Sequence, residues 1–138
     1  MKIAFYLGAQ GKLQDKIVCL ATLSKYSHVE LVLDDGTCLS ASKRDGGVRS
    51  KKIELGENWH VYDLTNIYDE VGINYWFSLH DGDKYHWLGA IGAGLNINIF
   101  SNNKKYCSQV VALMLGLESN ITPGGLFRKL KKEKLINV

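Results

Sequence analysis

Cys107 and His28 are the two side chains whose types and settings suit nucleophilic chemistry. Cys107 opens an apolar run, Tyr106-Cys107-Ser108-Gln109-Val110-Val111-Ala112-Leu113-Met114-Leu115-Gly116-Leu117. A cysteine that starts a helix sits among backbone N–H groups with no intrahelical acceptor, at the positive end of the helix dipole. That setting stabilises the thiolate, the reactive form of the side chain. Lys104 and Lys105 lie just upstream and act in the same sense. His28 stands at the head of a strand-like run, His28-Val29-Glu30-Leu31-Val32-Leu33. A thiol at a helix start with an imidazole on a neighbouring sheet is the arrangement a Cys–His dyad needs, with a third group to fix the tautomer.

The elements that must bring the two together are legible as patterns. The N-terminal run Ile3-Ala4-Phe5-Tyr6-Leu7 predicts a first strand. Over residues 12–23, Leu13, Ile17, Leu20 and Ala21 recur at helical spacing, which predicts a helix whose apolar face joins the core and takes Cys19 with it. From His28 to about residue 63 the period becomes that of strands. His28–Leu33 and Thr37–Ser42 flank the turn Asp34-Asp35-Gly36, Val48–Leu55 and Trp59–Leu64 follow, and Arg44-Asp45-Gly46-Gly47 is a loop that could border a cleft. Residues 67–79 read as a helix carrying Ile67, Val71, Tyr75 and Phe77, and Tyr85–Ile91 as a short helix. Asn102-Asn103 breaks the chain before the Cys107 helix, which runs to about Leu117, and Thr122-Pro123 starts a last helix.

Hairpin register decides which side chains share the face of His28. Alternation puts His28, Glu30 and Val32 on one face and Val29, Leu31 and Leu33 on the core face. A three-residue loop pairs Leu33 with Thr37, sets Ser42 opposite His28 and sets Ser40 opposite Glu30. Ser40, Ser42 or Glu30 could then hold the imidazole. A two-residue loop would shift the register and turn Ser40 to the other face.

These stretches carry a resemblance. Tyr26-Ser27-His28-Val29-Glu30-Leu31-Val32-Leu33, followed much later by Tyr106-Cys107-Ser108-Gln109, resembles the circularly permuted papain-like hydrolases. These are relatives of the NlpC-type cell-wall peptidases and of the lecithin retinol acyltransferase group, in which a strand histidine precedes a late helix-start cysteine. Tyr85-His86-Trp87-Leu88-Gly89 resembles a family segment that often reads Tyr-Asp-Trp-hydrophobic-Gly, and Thr122-Pro123 with Leu126 resembles the family's tail. The likeness runs from about residue 25 to about residue 130 of a single 138-residue domain.

It implies an α+β fold, a small antiparallel sheet packed against the cysteine helix. It also implies acyl transfer, in which Cys107 attacks an amide or (thio)ester carbonyl and His28 shuttles the proton. Ser40 stands where the family has a polar third residue, often glutamate or histidine, Gln109 where it often has glutamate after Cys-Ser, and His86 where it often has aspartate. These departures leave an inactive binding module of the same fold as the alternative. The Cys107 N–H would be one oxyanion donor, and the hydroxyl of Tyr26 or Tyr106 a second. Glu30 and Gln109 complete the candidate site.

Composition narrows the class. Of the 138 residues 46% are hydrophobic and 22% charged, as in an ordinary globular domain able to bury a core. The net charge of +3 and the basic stretch Arg128–Lys134 read as a solvated helix face, and no nucleic-acid partner is expected. The expected partner is a small-molecule, lipid or peptide substrate with an acyl bond. Three cysteines without paired spacing argue against a disulfide framework. No C-x-x-C or H-x-x-x-H spacing joins the cysteines and histidines, so no metal and no cofactor are expected. No apolar stretch reaches the ~20 residues of a membrane span, and the N-terminal run is shorter than a signal h-region. A cytoplasmic protein is the expectation. A cell-wall substrate would then need another route of delivery, such as lysis or carriage in a phage or virion.

Overall fold

A computed structural model describes residues 1–65, 68–86 and 104–138. Its strands are β1 (Lys2–Leu7), β2 (Tyr26–Val32), β3 (Thr37–Ser42), β4 (Gly47–Lys52), β5 (Trp59–Asp63), β6 (Lys84–Tyr85) and β7 (Lys104–Lys105). Its helices are α1 (Leu13–Thr22), α2 (Glu70–His80), α3 (Cys107–Met114) and α4 (Pro123–Lys132). The fold is α+β. Six strands run antiparallel in the order β5-β1-β2-β3-β4-β6, and β7 joins β6 in parallel at the edge.

Alternation in β1 to β4 sorts the side chains by face. Ile3, Phe5, Val29, Leu31, Leu39, Ala41 and Val48 point to one side and form the main core with Val110, Val111 and Met114 of α3 and Leu126 and Leu130 of α4. Ala4, Val32 and Cys38 point to the other side, under Ile53, Leu55 and Trp59. An eight-residue helix such as α3 is too short to persist alone. Its place is set by burial of Val110, Val111, Ala112 and Met114, each in the range of about 1–3 kcal/mol of transfer free energy. That burial fixes where Cys107 stands.

The β2–β3 hairpin has the three-residue loop. Leu33 N donates to Thr37 O at 2.8 Å, and Gly36 closes the turn with φ +82°. The ladder pairs Leu31 with Leu39 and Val32 with Cys38, the register that sets Glu30 opposite Ser40 just beyond the last pair. The last helix begins at Pro123, where Thr122 Oγ1 accepts from Gly125 N at 3.0 Å.

Three expectations change. The apolar face of α1 does not enter the core: Leu13, Ile17 and Leu20 are exposed, and Cys19 is only half-buried. The helix is held by its other face, where Ser27 Oγ donates to Asp15 Oδ1 at 3.2 Å and Thr22 is buried. In α2, Ile73 is the buried residue and Val71 and Tyr75 face solvent, because the helix meets the core through a narrower strip than its composition suggests. The Cys107 helix ends at Met114 rather than near Leu117, where Leu117 N turns back to Ala112 O at 2.8 Å. Ile67, Asn102-Asn103 and most of the Tyr85–Ile91 segment lie outside the described residues; Tyr85 itself is in β6.

Candidate active site

Cys107 is the first residue of α3, and polar contacts secure this helix end. Ser108 Oγ donates to Ile121 O at 2.6 Å, and the Tyr106 hydroxyl donates to Ser119 O at 3.1 Å. Gln109 Oε1 accepts from Tyr106 N at 3.4 Å. Tyr106 and Gln109 cap and anchor the helix start. Tyr106's hydroxyl is pushed up to about 12, chiefly by burial.

His28 stands in β2 across from Tyr6 of β1, beside an irregularity in register between Tyr6 and Leu7. Its ring meets Trp59 edge-on, with centroids 6.1 Å apart. Nε2 lies 2.6 Å from Glu30 Oε1, two residues along the same face of the strand. Cys107 acts on the imidazole by charge and is the largest influence that raises its pKa. Burial alone would lower the imidazole's pKa. Cys107 and then Glu30 outweigh it and raise the value from 6.5 to about 10.

Glu30 is fully buried, yet remains ionised. Burial favours its neutral form, but the Arg49 guanidinium and the His28 ring overcome that and hold its pKa below the usual carboxylate value. Arg49 grips it with two hydrogen bonds, Nη1 to Oε2 at 2.7 Å and Nη2 to Oε1 at 2.5 Å. Asp45 in turn receives Arg49 Nε at 2.8 Å and Lys51 Nζ at 2.8 Å. Burial pulls Asp45 upward, but these two cations bring it down to about 2. The chain of contacts thus runs from His28 through Glu30 and Arg49 to Asp45 and Lys51.

Ser40 does not touch the imidazole. Its hydroxyl donates to Val29 O at 2.6 Å, just where the β2–β3 ladder has ended, and the residue is fully buried. Of the three groups on the face of His28, Glu30 is the one placed against the ring. Ser40→Ala is expected to cost about 1–2 kcal/mol through the abandoned Val29 carbonyl, while leaving Cys107 alkylation within about three-fold of the parent. A ten-fold or greater loss of reactivity at unchanged stability would return Ser40 to the site. Tyr26 also faces elsewhere: its hydroxyl lies 2.8 Å from His60 Nδ1 and 3.4 Å from the Tyr62 hydroxyl, in an aromatic cluster with Phe5 and Phe127.

Beside His28 and Glu30 opens a cavity of about 350 Å³, walled in part by Trp59 and Tyr85. Lys43 and Arg44 of the β3–β4 loop line it, so that loop does border a cleft. Tyr85 lines the cavity, and its hydroxyl is held protonated, first by burial and next by the charge of Cys107. Sequence reasoning missed Arg49 and this role of Tyr85. Alternation along β4 puts Arg49 and Lys51 on one face, and pairing Ser40 with Arg49 would have set the guanidinium diagonal to Glu30. Nothing local marks Tyr85.

Among the described residues no group of three His, Cys, Asp or Glu side chains converges as a metal site, and no helix is long and apolar enough to cross a membrane. Comparison with known proteins gives no match to a family model and none to a curated protein sequence.

Proposed function

We propose that the protein is a thiol acyl-transfer enzyme, a hydrolase or acyltransferase that opens an amide or (thio)ester bond of a small-molecule, lipid or peptide substrate. The observation that carries this reading is an imidazole held through Nε2 by a buried, Arg49-clamped carboxylate, within electrostatic reach of Cys107 at a helix start. The order of the pair along the chain, histidine in a central strand and cysteine late, supports a permuted papain-like version of the α+β fold.

In the first half-reaction the Cys107 thiolate attacks the carbonyl carbon. A C–S bond forms, the carbonyl π pair moves to oxygen, and the oxyanion is met by the Cys107 N–H and the protonated Tyr85 hydroxyl. The C–N, C–O or C–S bond to the leaving group breaks as the His28 imidazolium gives that group a proton. In the second, neutral His28 takes a proton from water or an acceptor alcohol or amine, which attacks the thioester carbon. The Cys107 thiolate leaves with the electron pair, and the imidazolium is restored. Glu30 remains ionised throughout and steadies the imidazolium.

One observation favours a second reading. Cys107 is only 3% exposed, and the cavity is walled by His28 rather than by the sulfur. A protein that uses the cavity for binding alone would look the same. The two readings separate on incubation with a panel of p-nitrophenyl esters of increasing chain length. The enzyme reading expects a burst of p-nitrophenol and, by mass spectrometry, an acyl adduct on Cys107 that is absent in Cys107→Ala. Release that is equal in the parent and Cys107→Ala, with no adduct, would leave the binding module.

A further inference from the structure

Helix α1 is amphipathic in the reverse sense for a core element. Leu13, Ile17 and Leu20 stand at i, i+4 and i+7, one face of the helix, and are 73%, 43% and 77% exposed. Leu23 follows at 88%. The inward face carries Asp15 on Ser27, the buried Thr22 and the half-buried Val18 and Cys19. Single exposed hydrophobics are ordinary, but four gathered on one short segment are not.

Leu23 sharpens the point. Its backbone is left-handed, with φ +48° and ψ +42°, at the C-cap of α1. Glycine or asparagine is the usual occupant there, because a Cβ crowds the following carbonyl in this conformation. Neither the backbone nor the core calls for a leucine at this position, so the side chain answers to something outside the chain.

Charge identifies that something. Lys12 and Lys16 flank the apolar arc, and Lys25 lies just beyond its end. Asp15, the one acidic side chain between residues 12 and 25, is turned inward. A second copy of this face would bring lysines without a countercharge. A bilayer interface with anionic headgroups supplies both the apolar layer and the negative charge.

We propose that α1 docks the protein on an anionic lipid surface through Leu13, Ile17, Leu20 and Leu23, with Lys12, Lys16 and Lys25 at the headgroups. The other edge of the same helix, Gln14, Asp15 and Val18, walls the cavity beside His28. Docking therefore brings the cavity to the surface. This inference stands apart from the chemistry assigned to Cys107.

The test is flotation of the full-length protein with phosphatidylcholine vesicles and with vesicles carrying about 30% phosphatidylserine. The expected result is at least about ten-fold stronger partition onto the anionic vesicles, weakened by salt. Leu13→Gln/Leu20→Gln should lower that partition at least about ten-fold, and Lys16→Glu about five-fold. The double variant alters solvent-facing side chains, so its melting temperature and Cys107 alkylation rate serve as controls and should match the parent. Cys107→Ala should float as the parent does, which separates this result from the thiol chemistry. The proposal is overturned if neither vesicle is bound, or if the double variant floats like the parent. It is equally overturned if the protein forms a concentration-dependent dimer that the double substitution abolishes, which would make the arc a self-interface.

Discussion

Arg49→Ala is expected to destabilise the protein by about 3–5 kcal/mol, because it leaves the charge of Glu30 buried without its guanidinium. Glu30 is fully buried, and its oxygens face Arg49 and His28. Removing both partners of such a pair can be nearly neutral, whereas removing one strands the other. Arg49→Lys should lie between the two, since a point charge cannot reproduce the bidentate contact.

The acid limb of the stability curve follows from the direction of Glu30's shift. Its folded pKa is lowered, so its contribution is present above the ordinary carboxylate value of 4.5 and is lost as pH falls through the folded value. In Arg49→Ala the carboxyl holds a proton at higher pH, and that loss on acidification shrinks. Urea unfolding of parent and variant at neutral and acidic pH measures both effects. A neutral-pH difference below about 1 kcal/mol would remove the buried clamp from the account of the site.

The second large effect is expected at His28. His28→Ala should slow iodoacetamide alkylation of Cys107 about 100-fold at mildly acidic pH, where an unassisted thiol is almost wholly protonated. In the parent, modification should fall on Cys107 before Cys19 and Cys38, whose thiols are both pushed up, first by burial. Labelling of all three at similar rates would end the case for an activated thiol.

The imidazole itself can be followed by NMR of labelled histidine. Its pKa is raised from 6.5 to about 10, so it contributes stability that is fully present below about 6.5 and is lost as pH rises towards about 10. Cys107 is the largest of the causes that raise it, and Glu30 the next. Cys107→Ala should therefore lower the titration midpoint and end the stability loss at a lower pH. Glu30→Gln should lower the midpoint too. A midpoint near 6.5 in all three proteins would mean that the ring meets neither partner.

Features that local pattern controls were legible from the residues alone. Strand alternation put His28 and Glu30 on one face and Val29 and Leu31 on the other, because the side-chain period of a strand is two whatever packs on it. The turn Asp34-Asp35-Gly36 fixed the three-residue loop, since Gly36 supplies the positive φ. Thr122-Pro123 fixed the start of α4 through its cap. The position of Cys107 at a helix start was legible for the same reason.

Which neighbours those residues met depended on long-range packing. Ser40 lies opposite Glu30, as the register required, but a hydroxyl beside an unpaired carbonyl serves the backbone, while a carboxylate two residues from the ring can reach it. That Glu30 could be buried as a charge depended on Arg49, which arrives from β4 across β3 and leaves no mark near the histidine in the chain. The outward turn of α1 was hidden as well. Helical period reports that a helix has an apolar face, but not whether core or surroundings receive it. In this fold Asp15 on Ser27 and the buried Thr22 point that face away from the core.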